Sequence, residues 1–322
     1  MKKTIMLCIF MCMTSTTFAA QRGESKVDSI VYDQGMQWKT FPSDKAVRAF
    51  AVQKDILWIA TESGLHSINM LKGGDKKDLS TIGSIPATSV SSLAVDASGT
   101  LWVGTTSGVA MKTKDGFKIF SKDNGLPDSK VNAVVAAKNG KVWVGTEAGV
   151  GCYQGGAWNA YTVDKGLCGA KVRGIAIDNN NVVWIGTDKG ISAFDGAKWT
   201  THSMNNGLSW NDTKAIACDP KTNIIWAAVG DKDVNSYDGK SWKQYMEVVE
   251  GTIKCIMSDT QSRIWLGTSG GLVKFNGEEW VSDQQKIGIP ANQVTEMLCD
   301  GQGNLWFGME KGVMRVANPY PY

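Results

Sequence analysis

The sequence predicts an all-β fold: one seven-bladed β-propeller of four-stranded antiparallel blades. Three observations predict it. A Trp-centred strand motif returns seven times, at Leu57-Trp58, Leu101-Trp102, Val142-Trp143, Val183-Trp184, Ile225-Trp226, Ile264-Trp265 and Leu305-Trp306. Successive Trp residues lie 44, 41, 41, 42, 39 and 41 positions apart, a period that holds about four short strands. Finally, the last repeat stops at a third strand, Lys311 to Val316, while the stretch 36–41 near the N-terminus reads as the missing outer one.

Within a repeat, Val183, Ile185 and Thr187 are β-branched and favour a pleated strand. Trp184 and Gly186 are two apart and share a face. A large side chain beside a missing one leaves a socket for the next blade. A buried Trp covers ~150–250 Å², roughly 4–6 kcal/mol gross, so Trp58, Trp102, Trp143, Trp184, Trp226, Trp265 and Trp306 are expected to dominate the packing between blades. Blade 1 places Ala60 at the small position and blade 5 places Ala228 there, so the socket survives in both.

Taken from its beginning, the chain opens on Met1-Lys2-Lys3 and an apolar run to Met13, then Thr17-Phe18-Ala19. This reads as a secretory leader over 1–19, with residues 20–322 as a single domain exported to the periplasm or beyond. No other run is long and apolar enough to span a bilayer. Without Lys2 and Lys3, 32 basic residues face 31 acidic ones, which gives no reason to expect nucleic acid or an anionic membrane as partner. Cys152, Cys168, Cys218, Cys255 and Cys299 remain, an odd number without metal-ligand spacing, and read mostly as buried thiols.

Blade 4 shows the strand order. Val172 to Ile177 is innermost, Asp178 to Asn181 turns, Val182 to Thr187 carries the Trp, Gly190 to Phe194 follows, and Lys198 to His202 is outermost. Asn205-Asn206-Gly207-Leu208 crosses to the next blade. A second aromatic series, Phe117, Trp158, Trp199, Trp242 and Trp280, marks outer strands; blade 1 lacks it. Strand 36–41 is expected to complete blade 7 and close the ring. Ile30 to Asp33 competes with 312–316 for the third strand of that blade.

The linker Asn124-Gly125-Leu126-Pro127-Asp128-Ser129-Lys130-Val131, followed by Lys141 to Thr146, resembles the two-component regulator propeller repeat. So do Asp96 to Thr105 and Asp300 to Gly308. The resemblance runs over essentially all of 20–322. It implies the fold of the periplasmic sensor part of membrane-spanning hybrid histidine kinases, often devoted to carbohydrate signals. This sequence ends at Tyr322 with no second β-sandwich, membrane helix or kinase. The expectation is therefore a monomeric, non-catalytic binding module that uses a small-molecule or glycan ligand, or a protein partner such as a membrane sensor.

Aligned repeats put Arg48, Ser91, Asn132, Arg173, Lys214, Lys254 and Thr295 in one polar column at the start of the inner strands, where propellers bind ligands. The preceding residues, Val47, Val90, Val131, Val172, Thr213, Ile253 and Val294, are expected to pack between blades. The turn after the Trp strand presents Glu62, Thr106, Glu147, Asp188, Ser269 and Glu310 on the same face. Two readings stand: ion pairing around a wet channel, or an anionic or sugar-acid ligand held by Arg48, Arg173, Lys214 and Lys254. Trp210, outside the repeat pattern, either stacks on a ligand or covers a neighbouring blade.

An enzyme needs a base in place. Both His66 and His202 fall away from the channel in this register, which argues against a lyase that employs a channel histidine. A metal-dependent, lactonase-like enzyme would need Glu296, Asn132 and Asp212. Glu296 interrupts an otherwise small column and could ligate Ca²⁺, or pair with Lys254 or Arg48. A purely structural protein-interaction scaffold is the third class.

Overall fold

The computed structural model describes residues 28–31, 37–41, 45–61, 64–70, 76–78, 90–282 and 293–317. The leader at 1–19 and Glu62 lie outside them. The strands gather into seven antiparallel sheets. Blade 4 comprises Val172–Ile177, Val183–Thr187, Gly190–Phe194 and Trp199–His202, counted outward from the channel. The other blades repeat the order, and blade 1 ends on a three-residue outer strand, Lys76–Asp78.

Blade 7 closes the ring. Gln37–Phe41 pairs antiparallel with Gly312–Ala317, from Gln37 opposite Ala317 to Phe41 opposite Val313. The competition for the third strand is settled for the C-terminal copy. The N-terminal competitor forms Asp28–Val31 instead, a fifth strand on the outer side of 37–41, with Asp28 opposite Thr40. Two chain ends far apart in sequence thus share one sheet, and a closed ring exposes no inner edge.

The core divides into seven apolar clusters, one per blade boundary. Trp102 packs on Val131, Val134 and Val144 of blade 3, and Trp306 packs on Val47, Phe50 and Leu57 of blade 1, across the closure. The glycine two residues after the Trp, replaced by Ala60 in blade 1 and Ala228 in blade 5, makes room for the next blade. A Cβ on Gly145 would come within 2.4 Å of Val172 Cγ1, and one on Gly308 within 2.6 Å of Val47 Cγ1. The residues before the polar column therefore occupy these sockets, with the Thr213 methyl group in the one beside Gly186. Four of the Trp rings also donate Nε1–H to an Asp six residues earlier: Asp96, Asp178, Asp259 and Asp300. The same Asp accepts backbone N–H groups of the intervening turn, such as Ser98 and Thr100 at Asp96, so one carboxylate orients both the turn and the ring.

Candidate channel-mouth site

The polar column owes its place to a backbone irregularity that recurs in every blade. Pairing between the inner and Trp strands skips one residue: Val131 faces Thr146 and Ala133 faces Gly145, leaving Asn132 without a partner. The skipped residues are Arg48, Ser91, Asn132, Arg173, Lys214, Lys254 and Thr295. A bulge re-aims its extra residue, and here the column is turned toward the axis. Six of the seven line the central channel, and Thr295 does not.

Short side chains in the column are used up on the fold. Ser91 Oγ donates to Val131 O at 2.7 Å, Asn132 Nδ2 to Val172 O at 2.9 Å, and Thr295 Oγ1 to Val47 O at 2.8 Å. Each bond ties a blade to the backbone of the next. The long cations cannot make that short bond and extend to the mouth. Arg173 Nε lies 2.9 Å from Asp212 Oδ1, and Lys214 Nζ lies 2.7 Å from Asp212 Oδ2 and 3.5 Å from Asp231 Oδ1. Lys254 is exposed and makes no ion pair among the described residues. Arg48 is exposed on the opposite wall.

Between blades 3 and 6 these residues border a cavity of about 450 Å³, lined by Asn132, Glu147, Lys171, Arg173, Lys214, Asp231 and Lys254, with Thr252 and Ile253. The channel continues below as a space of about 250 Å³. The expected ring of acids is only partly formed. Glu147 bridges Lys130 at 3.4 Å and Lys171 at 3.0 Å and accepts from Asn132. Burial pushes its carboxyl up, but these partners outweigh burial and hold it below the usual range. Asp188 and Glu310 make no ion pair with a described residue. Asp212 and Asp231, which fall between Asp188 and Ser269 of the expected ring, pair instead with the cations of blades 4 and 5. Burial likewise raises Asp212, and Lys214 with Arg173 brings it below the ordinary value. The sequence signal for Asp212 was present: it is the one acid two residues before a bulge, where other repeats place Ala46, Ser89, Lys130, Lys171, Thr252 and Gln293.

Glu296 stands apart. It borders the channel beside Cys255 and pairs with neither Lys254 nor Arg48. Among the described residues its carboxylate accepts the Met297 N–H alone, at 3.1 Å. Burial pushes its pKa up to about 7, and together with its charge drives the Cys255 thiol well above the ordinary range. Asn132 and Asp212 are committed to the partners above, and no group of three His, Cys, Asp or Glu side chains among the described residues is set to hold a metal. His66 is buried against Thr61, and His202 stacks on Trp184 and accepts from Trp242 Nε1 at 3.1 Å. Neither lines the channel. Trp210 is 51% exposed, with its ring edge over Gly230, where a Cβ would come within 3.0 Å. Cys152, Cys168, Cys218, Cys255 and Cys299 are all free thiols.

Four segments, 84–107, 125–148, 166–189 and 288–311, match the family described as two component regulator propeller. Each includes an inner strand with its bulge and the Trp strand that follows. The fold is similar to the extracellular domain of the putative hybrid two component system BT4673 from B. thetaiotaomicron, at 18% identity and TM-score 0.71, over 91% of this chain and 40% of that one. It is similar to that of BT3049 from the same organism, at 20% identity and TM-score 0.70, over 90% and 45%. A catalytically inactive virginiamycin B lyase from Staphylococcus aureus, crystallised with quinupristin, shares the fold at 15% identity and TM-score 0.69, over 91% and 99%. The chain thus spans less than half the length of the two sensor domains. No curated protein matches it in sequence. No helix among the described residues is long and apolar enough to cross a membrane.

Proposed function

Because this chain belongs to the two component regulator propeller repeat family, we propose that it is an exported, non-catalytic binding module. It takes an anionic or glycan ligand at the channel mouth between blades 3 and 6. The observation that carries this reading is the delivery, by a bulge common to all blades, of Arg173, Lys214 and Lys254 to one cavity of about 450 Å³. That volume suits a small organic molecule of roughly disaccharide size. Relation to sensor domains supports a role in sensing, with the signal passed to a separate protein.

The test is a thermal-shift and calorimetric screen of acidic and neutral oligosaccharides against residues 20–322. A ligand that stabilises the protein should lose at least about tenfold in affinity in the Arg173→Ala/Lys214→Ala variant, the loss of one to two charge-assisted contacts. Unchanged affinity would remove the mouth from the reading. A protein partner is the second reading, favoured by Val163, Met204, Trp210 and Met246. All four are more than half exposed on the crossings that lead into blades 4, 5 and 6. Export is tested by cell fractionation and by N-terminal sequencing of the mature protein, expected to begin at Ala20.

A further inference from the structure

Two acids contact the cations of the cavity and are held in different ways: Glu147, which lines it, and Asp212, which meets Arg173 and Lys214; a third, Asp231, also lines it, 3.5 Å from Lys214. Glu147 is saturated by an amide and two lysines. Asp212 spans two neighbouring bulge residues with one oxygen on each, Oδ1 toward Arg173 and Oδ2 toward Lys214. The Arg173 contact is close, at 2.9 Å, but not aligned as a hydrogen bond: Nε and Oδ1 both lack a properly directed partner. The pair is also about one-third exposed on both sides, and such solvated pairs are weakly held. The backbone beneath is fixed by Gly230 N–H to Asp212 O at 2.8 Å, so only the side chain needs to turn. Lys254, which lines the same cavity from blade 6, is a cation without an ion-pair partner among the described residues.

We infer that Asp212 stands in for a ligand carboxylate, and that the ligand is a small organic dianion. One of its carboxylates takes the Arg173–Lys214 clamp as Asp212 turns out, and the other reaches Lys254. This inference rests on the mouth being the ligand site. The clamp already accommodates a planar carboxylate with one oxygen per cation, so it fits the acid of a uronic sugar or similar compound. Asp212 competes with the ligand and sets the concentration at which the site fills.

Calorimetry on residues 20–322 with digalacturonate, galacturonate and the doubly methyl-esterified digalacturonate tests it. Asp212→Asn is expected to bind digalacturonate roughly three- to tenfold more tightly than the unaltered protein, the release of one exposed competitor. The ester, which carries no charge, should show no such gain. Lys254→Ala in the Asp212→Asn background should bind digalacturonate no better than galacturonate. Equal or weaker binding by Asp212→Asn, with an unchanged melting temperature, overturns the inference. If digalacturonate binds and Arg173→Ala abolishes binding while Asp212→Asn changes nothing, the mouth remains the site and only the displacement fails. If neither form binds any of the three probes, the acidic-ligand reading of the mouth fails with it.

Discussion

Along the blade boundaries, Trp102, Trp143, Trp184, Trp226, Trp265 and Trp306 do one job in the same way, each pressed on the following blade beside a Gly or Ala socket. Around the channel mouth, seven residues occupy an equally regular bulge and do different jobs. Ser91, Asn132 and Thr295 staple blades together. Arg173, Lys214 and Lys254 face a cavity. The difference teaches how a repeat protein separates stability from recognition. A symmetric backbone feature supplies the address, and a side chain free to vary supplies the content. A long cation can be placed at the bulge because the Val, Ile or Thr before it already fills the socket.

The comparison breaks most visibly at the closure. Deleting residues 21–41 removes the strand that pairs Gln37–Phe41 with the C-terminal strand. Calorimetric melting should fall by about 10 °C or more; an unchanged melt would mean that the ring does not depend on its N-terminal strand. Trp102→Ala should cost about 3–5 kcal/mol by chemical unfolding, from a cavity in a side chain 1% exposed and from the loss of a partner for Asp96.

Glu296 sharpens the contrast at the channel. Its folded-state pKa of about 7 lies above the ordinary 4.5. As pH rises, the unfolded chain loses this proton first. Stability from this group is therefore complete below about pH 4.5, declines between 4.5 and 7, and stays reduced above. At about 1.4 kcal/mol per unit, the reduction reaches about 3 kcal/mol. Glu296→Gln should be more stable by up to that amount at pH 8 and nearly unchanged at pH 4, as read by urea unfolding at the two pH values. Equal effects at both would show that Glu296 titrates normally.

Much of the architecture was legible because it is written once per repeat. The Trp period gave seven blades, the Trp and Gly two apart gave the socket, and the incomplete last repeat pointed to closure by 36–41. What escaped reading was backbone geometry and pairing. Val131-Asn132-Ala133 has the alternation of a regular strand, and nothing in it marks Asn132 as a bulge. Ile30 to Asp33 looked like a third strand because its residues suit any position in a sheet; hydrogen bonding placed Asp28–Val31 fifth. Glu296 was expected to ligate Ca²⁺ or to pair with Lys254 or Arg48. It pairs with neither, because the bulged residues of the other blades reach the mouth while Glu296, one place further along its strand, sits lower in the channel wall. The acids around the mouth were misassigned for a similar reason. Charge alone marked Asp188 and Glu310, but reach from a crossing loop favoured Asp212.

The most direct test of the division between staple and reader is an alanine scan of the bulge column by urea unfolding at pH 7. Ser91→Ala, Asn132→Ala and Thr295→Ala strand a buried carbonyl of the next blade and should each lose about 1–3 kcal/mol. Arg173→Ala, Lys214→Ala and Lys254→Ala should each lose about 0–1 kcal/mol. A uniform loss across all six, or the larger losses at the cations, would contradict it.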